Sequence, residues 1–125
     1  EFPMAAHLLH KSAKGQLLAL VVLFRLGAEN ALLNQVLPLI PAKPDGDHTP
    51  RGTKVDTNML LPHQRSYYRY SGSVTAPPCT EGVDWIVMKQ PLALSTSQLA
   101  AWRARYADNA RAVQPLYQRM VMESQ

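Results

Sequence analysis

Residues 17–24 read Leu-Leu-Ala-Leu-Val-Val-Leu-Phe, an unbroken apolar run set between Gly15 and Gly27. A short run of β-branched and leucine side chains enclosed by glycines is a strand signal. No polar residue interrupts Leu17 to Phe24, so both faces of that strand must be covered, which predicts a central strand of a large sheet and not an edge. Upstream, Ala6 to His10 precede the Lys-Gly stretch Lys11 to Gln16. The two apolar segments are therefore expected to pair as a hairpin.

Working outward, Ala28 to Leu37 holds good helix formers with Leu33, Val36 and Leu37 at helical spacing, and Pro38 and Pro41 are expected to stop that helix. Residues 41–54 carry three prolines and two glycines without periodicity, a surface loop that includes His48. Asn58 to Leu61 suggests a short extended piece, and Tyr67 to Tyr70 a strand ended by the turn signal Ser71-Gly72-Ser73. Pro77-Pro78 predicts an extended, hydrogen-bond-poor connection. Val83 to Lys89 reads as another strand. Ser95-Thr96-Ser97-Gln98 offers a capping box, followed by Leu99, Trp102 and Tyr106 on one inward helical face. The tail from Asn109 has no clean period and is expected to end in a strand. The fold class is mainly β with short helices, α+β in kind, and no internal repeat is visible.

A chain of 125 residues with 46% hydrophobic and 18% charged residues is sized and composed for one globular domain. Leu17 to Phe24 is far shorter than the roughly 20 residues of a membrane span, so no transmembrane helix is expected. Thirteen Lys+Arg against nine Asp+Glu give a net charge of +4. The basic residues are scattered and do not form a stripe with interleaved aromatics, which argues against a nucleic-acid partner. The single cysteine, Cys79, excludes an internal disulfide and any multi-cysteine zinc site, and leaves a free thiol or a bridge to a residue outside the chain. The N-terminus, Glu-Phe-Pro-Met-Ala-Ala-His, has neither an initiator methionine at position 1 nor a signal-peptide layout, and is expected to be a cut inside a longer protein.

Local chemistry is sparse. His7 and His10 are three apart, a spacing that puts their rings on opposite faces of a strand, so a two-histidine metal motif within this segment is not expected. On spacing alone, a lone strand histidine is usually structural, and a metal-ligating role is the minority reading. Ser73, Thr75 and Thr80 lack a Gly-x-Ser-x-Gly elbow, and their default is a turn hydroxyl. Cys79 lies beside Pro78 with Glu81 as its nearest charge, which does nothing to activate a thiol.

The order of the segments carries more. Phe2-Pro-Met-Ala-Ala-His-Leu-Leu-His, Leu18-Ala-Leu-Val-Val-Leu-Phe, Tyr70-Ser-Gly-Ser-Val-Thr-Ala-Pro-Pro-Cys-Thr-Glu-Gly-Val-Asp-Trp-Ile-Val and Asn109-Ala-Arg-Ala-Val-Gln-Pro-Leu together resemble the second half of an α-class carbonic anhydrase of the bacterial, exported kind. The resemblance covers essentially all 125 residues. It implies that residues 1–125 are the C-terminal portion of one such domain, part of a large, mostly antiparallel central sheet. It also implies a lyase that hydrates carbon dioxide to bicarbonate with Zn2+ as cofactor.

Carried over position by position, the resemblance implies that His7 is the third zinc ligand and that Thr75 orients the attacking hydroxide. Thr75 can do so because a hydroxyl donates and accepts at once. Leu9, Ala19, Val74, Ala76 and Trp85 match positions of the carbon dioxide pocket. Cys79 matches one member of a disulfide of exported members, which implies an oxidising compartment, periplasmic or secreted. Three positions depart from the family pattern. Ala5 stands where a carboxylate usually bonds the third ligand's free N–H, and Ala76 stands for a threonine. Ala19 stands for a valine, so the pocket should be roomier and less polar. The family's first two ligands form a His-x-His pair upstream of this sequence, so this chain alone is expected to be inactive. Its expected partners are the other half of the domain, or a second copy through exposed strand edges. The rival expectation is a non-catalytic carbonic-anhydrase-like binding or structural protein.

Overall fold

The computed structural model describes residues 1–41 and 52–125; the expected loop 41–54, with its His48, lies largely outside them. Among the described residues six strands form one mixed sheet: β1 Met4–Lys11, β2 Leu17–Leu26, β3 Tyr67–Ser73, β4 Glu81–Met88, β5 Leu92–Leu94 and β6 Met122–Glu123. Their order is β1-β2-β4-β3-β6, with β5 also paired to β2. β1 and β2 make the expected antiparallel hairpin, Met4 opposite Phe24 and Lys11 opposite Leu17. Gly15, at φ 83°, adopts the left-handed backbone that its turn requires. β2 is central as expected, with β4 and β5 succeeding each other along its other side, both parallel to it. β3 pairs antiparallel with β4 and with β6.

The period of two divides β2 between two cores. Phe24 joins Leu32, Leu33, Leu60, Leu94 and Leu99, with Met4, Ala6 and Leu8 of β1 packed against them. Ala19 and Val21 join Val83 and Trp85 of β4 on the opposite face. Helix α1 (Ala31–Val36) lays Leu32 and Leu33 on the first face, and helix α2 (Thr96–Arg103) adds Leu99. Side chains enclosed to this degree each contribute about 1.5–3 kcal/mol relative to exposure.

The helices are tied together by Gln98, buried and fully engaged. Its amide accepts from the Asn30 and Ser95 N–H groups and donates to the Asn30 carbonyl and to Asn34 Oδ1. The capping box expected at Ser95 is thus present, and its glutamine doubles as the clip between α1 and α2.

Several local expectations are corrected. Helix α1 begins at Ala31, not Ala28, because Asn30 accepts hydrogen bonds from the N–H groups of Leu32 and Leu33 and caps it there. Pro38 does not end the coil: it sits early in a 3-10 turn, Leu37–Leu39, where its missing N–H costs no hydrogen bond. Thr57–Leu60 is a 3-10 turn, not an extended piece, since the Asp56 carboxylate accepts from the Asn58 N–H. β3 runs through Ser71-Gly72-Ser73 with a register shift at Gly72/Ser73, and that stretch is no turn. Ala76 to Cys79 is itself a tight turn, with a cis Pro77–Pro78 bond and the Cys79 N–H donating to the Ala76 carbonyl at 2.9 Å. Tyr106 lies past the end of α2 and is exposed, so only Leu99 and Trp102 face inward. The tail ends in the expected strand, β6.

Candidate functional site

The alternation of β1 sends Ala5, His7 and Leu9 to the face opposite the helices, across from Leu23, Val21 and Ala19 of β2. His10 goes to the other face, opposite Leu18. On β4 the same face carries Trp85, paired with Ala19. Ala19 is only a methyl, so the indole can lie over the strand and reach the rim. There it meets the His7 imidazole edge-on, ring centroids 5.3 Å apart and planes at 88°. Tyr70 stacks on the far side of the indole at 6.1 Å and 7°. Gly72 is required beside it, because a Cβ there would stand 2.9 Å from Trp85 Cδ1.

Burial against this apolar patch lowers the His7 pKa. The neutral ring, with a lone pair free to bind a metal, is therefore favoured at neutral pH. Burial raises the pKa of Tyr70, so its phenol stays protonated there. Ala5 precedes His7 on the same face and offers no hydrogen-bond acceptor from its side chain.

The segment leaving β3 completes the patch. Val74 packs against the Ala19, Val21, Val83 and Trp85 cluster. Its N–H donates to the Thr80 carbonyl at 2.9 Å, closing a loop whose exposed tip carries Thr75 and Ala76. Trp85 Nε1 donates to the Ser73 carbonyl at 3.2 Å, and Arg111 Nη1 donates to Ser73 Oγ at 2.9 Å. The arrangement presents an imidazole, an apolar floor and a hydroxyl-bearing loop on one side of the sheet.

Of the residues picked out from sequence, His7, Ala19, Val74 and Trp85 meet around this cluster. Leu9 lies beside Ala19 in register but is exposed, and Thr75 and Ala76 occupy the loop that Val74 begins. Cys79 is a free, half-buried thiol in a left-handed backbone conformation, φ 57°. Tyr70 and Arg111 join the site without a clear signal in the sequence. A glycine inside strand-forming sequence is the one available signal for the Tyr70–Trp85 stack, since it marks a close approach. Nothing near Arg111 points to its partner 38 residues away. Among the described residues no three His, Cys, Asp or Glu side chains gather to hold a metal ion. A catalytic zinc needs three protein ligands, so these residues do not make a zinc site by themselves.

Residues 4–125 match the family model described as eukaryotic-type carbonic anhydrase. A carbonic anhydrase of Klebsiella pneumoniae is 46% identical over 124 residues, 98% of this chain and 50% of that protein. The α-carbonic anhydrase of Thermovibrio ammonificans, solved with the inhibitor sulfanilamide, superposes with a TM-score of 0.90 at 44% identity, covering 97% of this chain and 54% of that one. A hyperthermostable carbonic anhydrase from a hydrothermal vent chimney superposes at 0.91 with 38% identity, over 99% of this chain and 55% of that one. The chain thus spans about half the length of the relatives it matches.

Proposed function

The chain belongs to the eukaryotic-type, or α, carbonic anhydrase family, and from that premise we propose that it supplies the C-terminal half of a site for the reversible hydration of carbon dioxide to bicarbonate. The observation that carries this reading is the His7 imidazole meeting the Trp85 indole of the Ala19, Val21, Val83 and Trp85 patch, on which Val74, at the start of the Thr75 loop, also packs. Carbon dioxide is small and has no net dipole, so a dry apolar floor of Ala19, Val74 and Trp85, extended by Leu9 and Ala76, suits it better than a polar one. Thr75 can accept from the attacking oxygen species and fix its direction, which is a positioning role. α-Carbonic anhydrases are zinc enzymes. In this reading His7 lends one nitrogen to the metal and the other ligands come from outside these residues, so this chain alone is inactive.

The free side of β1 is where the rest of the domain would add its strands: among the described residues β1 pairs only with β2. A second copy pairing there is the competing occupant. Cys79 would bridge to a cysteine outside the chain, in the periplasm or a secreted setting. Mass spectrometry with and without reductant checks this, and a free thiol after oxidative export removes the bridge and with it the support for that compartment.

Ala5 favours a second reading, a non-catalytic member of the family. A methyl cannot hold the His7 ring through its second nitrogen, and losing such a partner typically costs about 10–100-fold in metal affinity or activity. Stopped-flow hydration with metal analysis on the complete protein separates the two. Near-stoichiometric zinc with hydration supports the enzyme. In chelator competition, Ala5→Glu should then tighten zinc by about 10–100-fold. No zinc and no hydration in either form establishes the non-catalytic reading.

A further inference from the structure

The C-terminal arm, residues 109–121, runs past the open end of β3 with no strand of its own there. β6 covers β3 only at Tyr68 and Arg69. Farther along, two arginines of the arm take over. Arg119 Nη1 donates to the Ser71 carbonyl at 2.9 Å while Arg119 Nε and Nη2 hold the arm's own Leu116 and Pro115 carbonyls. Arg111 Nη1 donates to Ser73 Oγ at 2.9 Å. The two contacts differ in what they reach. Ser71 lies within the paired strand, opposite Asp84, whereas Ser73 is the residue at which β3 shifts register and gives way to the Thr75 loop.

We propose that Arg111 is a positioning residue, acting through Ser73 to fix the Val74–Thr80 loop and with it the Thr75 hydroxyl. Ser73 is held from two directions: the Trp85 indole donates to its carbonyl from β4, and Arg111 donates to its hydroxyl from the arm. The loop's own backbone hydrogen bonds, Val74 N–H to Thr80 O and Cys79 N–H to Ala76 O, are internal and fix its shape without fixing its placement on the sheet. Beyond the Ser73–Glu81 pairing and the packing of Val74, placement falls to the two external donors, of which only the guanidinium is charged and can form the stronger bond. A shift of the loop moves Thr75 relative to the His7 face, and small misplacements of a positioning group are costly to rate.

The catalytic part of this inference rests on the carbon dioxide reading; the structural part does not. In the complete protein, Arg111→Ala is expected to lower kcat about tenfold with KM little changed, because the apolar floor is untouched. Ser73→Ala should do the same, the double variant should lose no more than either, and Arg111→Lys should recover part of the loss. Arg119→Ala is the control, expected to loosen the arm and lower Tm while leaving kcat in place. Hydrogen exchange, read in parallel, should quicken at the Val74 and Cys79 amides in Arg111→Ala and not in Arg119→Ala. Additive losses, an equal fall in kcat for Arg119→Ala, or unchanged exchange at Val74 and Cys79 would overturn the assignment. If the complete protein hydrates no carbon dioxide, the catalytic reading fails, and exchange alone decides whether Arg111 places the loop.

Discussion

The two faces of β2 carry the same kind of residue and do different work. Toward the helices, Val22, Phe24 and Leu94 are wholly enclosed, and Leu32, Leu33 and Leu99 close over them. Toward the other side, Ala19 and Val21 are as buried as core residues, yet what covers them is the Trp85 indole and the half-exposed Tyr70 and Val74. Beyond that aromatic layer, Leu9 and Thr75 are exposed, and His7, partly covered by the indole, keeps an open surface. One face spends its apolar surface on packing. The other keeps an apolar floor whose rim carries the polar groups, and under the proposed function that division would separate stability from chemistry across one strand.

Substitutions on opposite sides of the strand should therefore part company. The largest effect belongs to the packed face. Phe24→Ala opens a cavity beneath the helices and should lower unfolding free energy by about 3–5 kcal/mol, read by denaturant melts. Thr75→Val on the site face should leave stability within about 0.5 kcal/mol, since the side chain is exposed. It should nevertheless cut hydration by the complete protein about 100-fold, at unchanged zinc content, as losing one hydrogen-bonding group at a reacting oxygen does. A Thr75→Val protein with full activity would remove that loop from the site.

The smallest effect is at the sheet's far edge. Lys89 Nζ lies 2.8 Å from Glu123 Oε2, and that hydrogen bond, reinforced by charge, lowers the Glu123 pKa. A carboxylate depressed on folding stabilises the fold above its unfolded pKa, and the contribution is lost as pH falls through the depressed value. The protection factor at Ser124, whose N–H donates to the Tyr67 carbonyl, should fall over that acidic interval and with added salt, while the centre of β2 keeps its protection.

Much of this division was legible in sequence where the cause was local. The unbroken run Leu17 to Phe24 announced a strand covered on both sides, and the period of two separated His7 from His10 before any neighbour was known. The Ser95–Gln98 capping box is legible because both partners lie within one turn. Misreadings arose where the deciding partner stood outside the window. Asp56 turns Thr57–Leu60 into a 3-10 coil from just before it, and Asn30 delays α1. Gly72 resembled a turn residue because its reason, the indole of Trp85, belongs to another strand. Arg111 and Tyr70 were invisible for the same reason, since arginine on a polar tail and tyrosine in a strand are ordinary until the register brings Ser73 and Trp85 beside them.

His7 and His10 provide the most direct test of the central claim, being the same residue type on one strand, turned to opposite faces. In the complete protein, His7→Ala and His10→Ala should be compared for zinc content and for carbon dioxide hydration. His7→Ala should lose both while His10→Ala keeps both. Loss of zinc and activity in His10→Ala with retention in His7→Ala would contradict the claim, because the working face would then be the one beneath the helices.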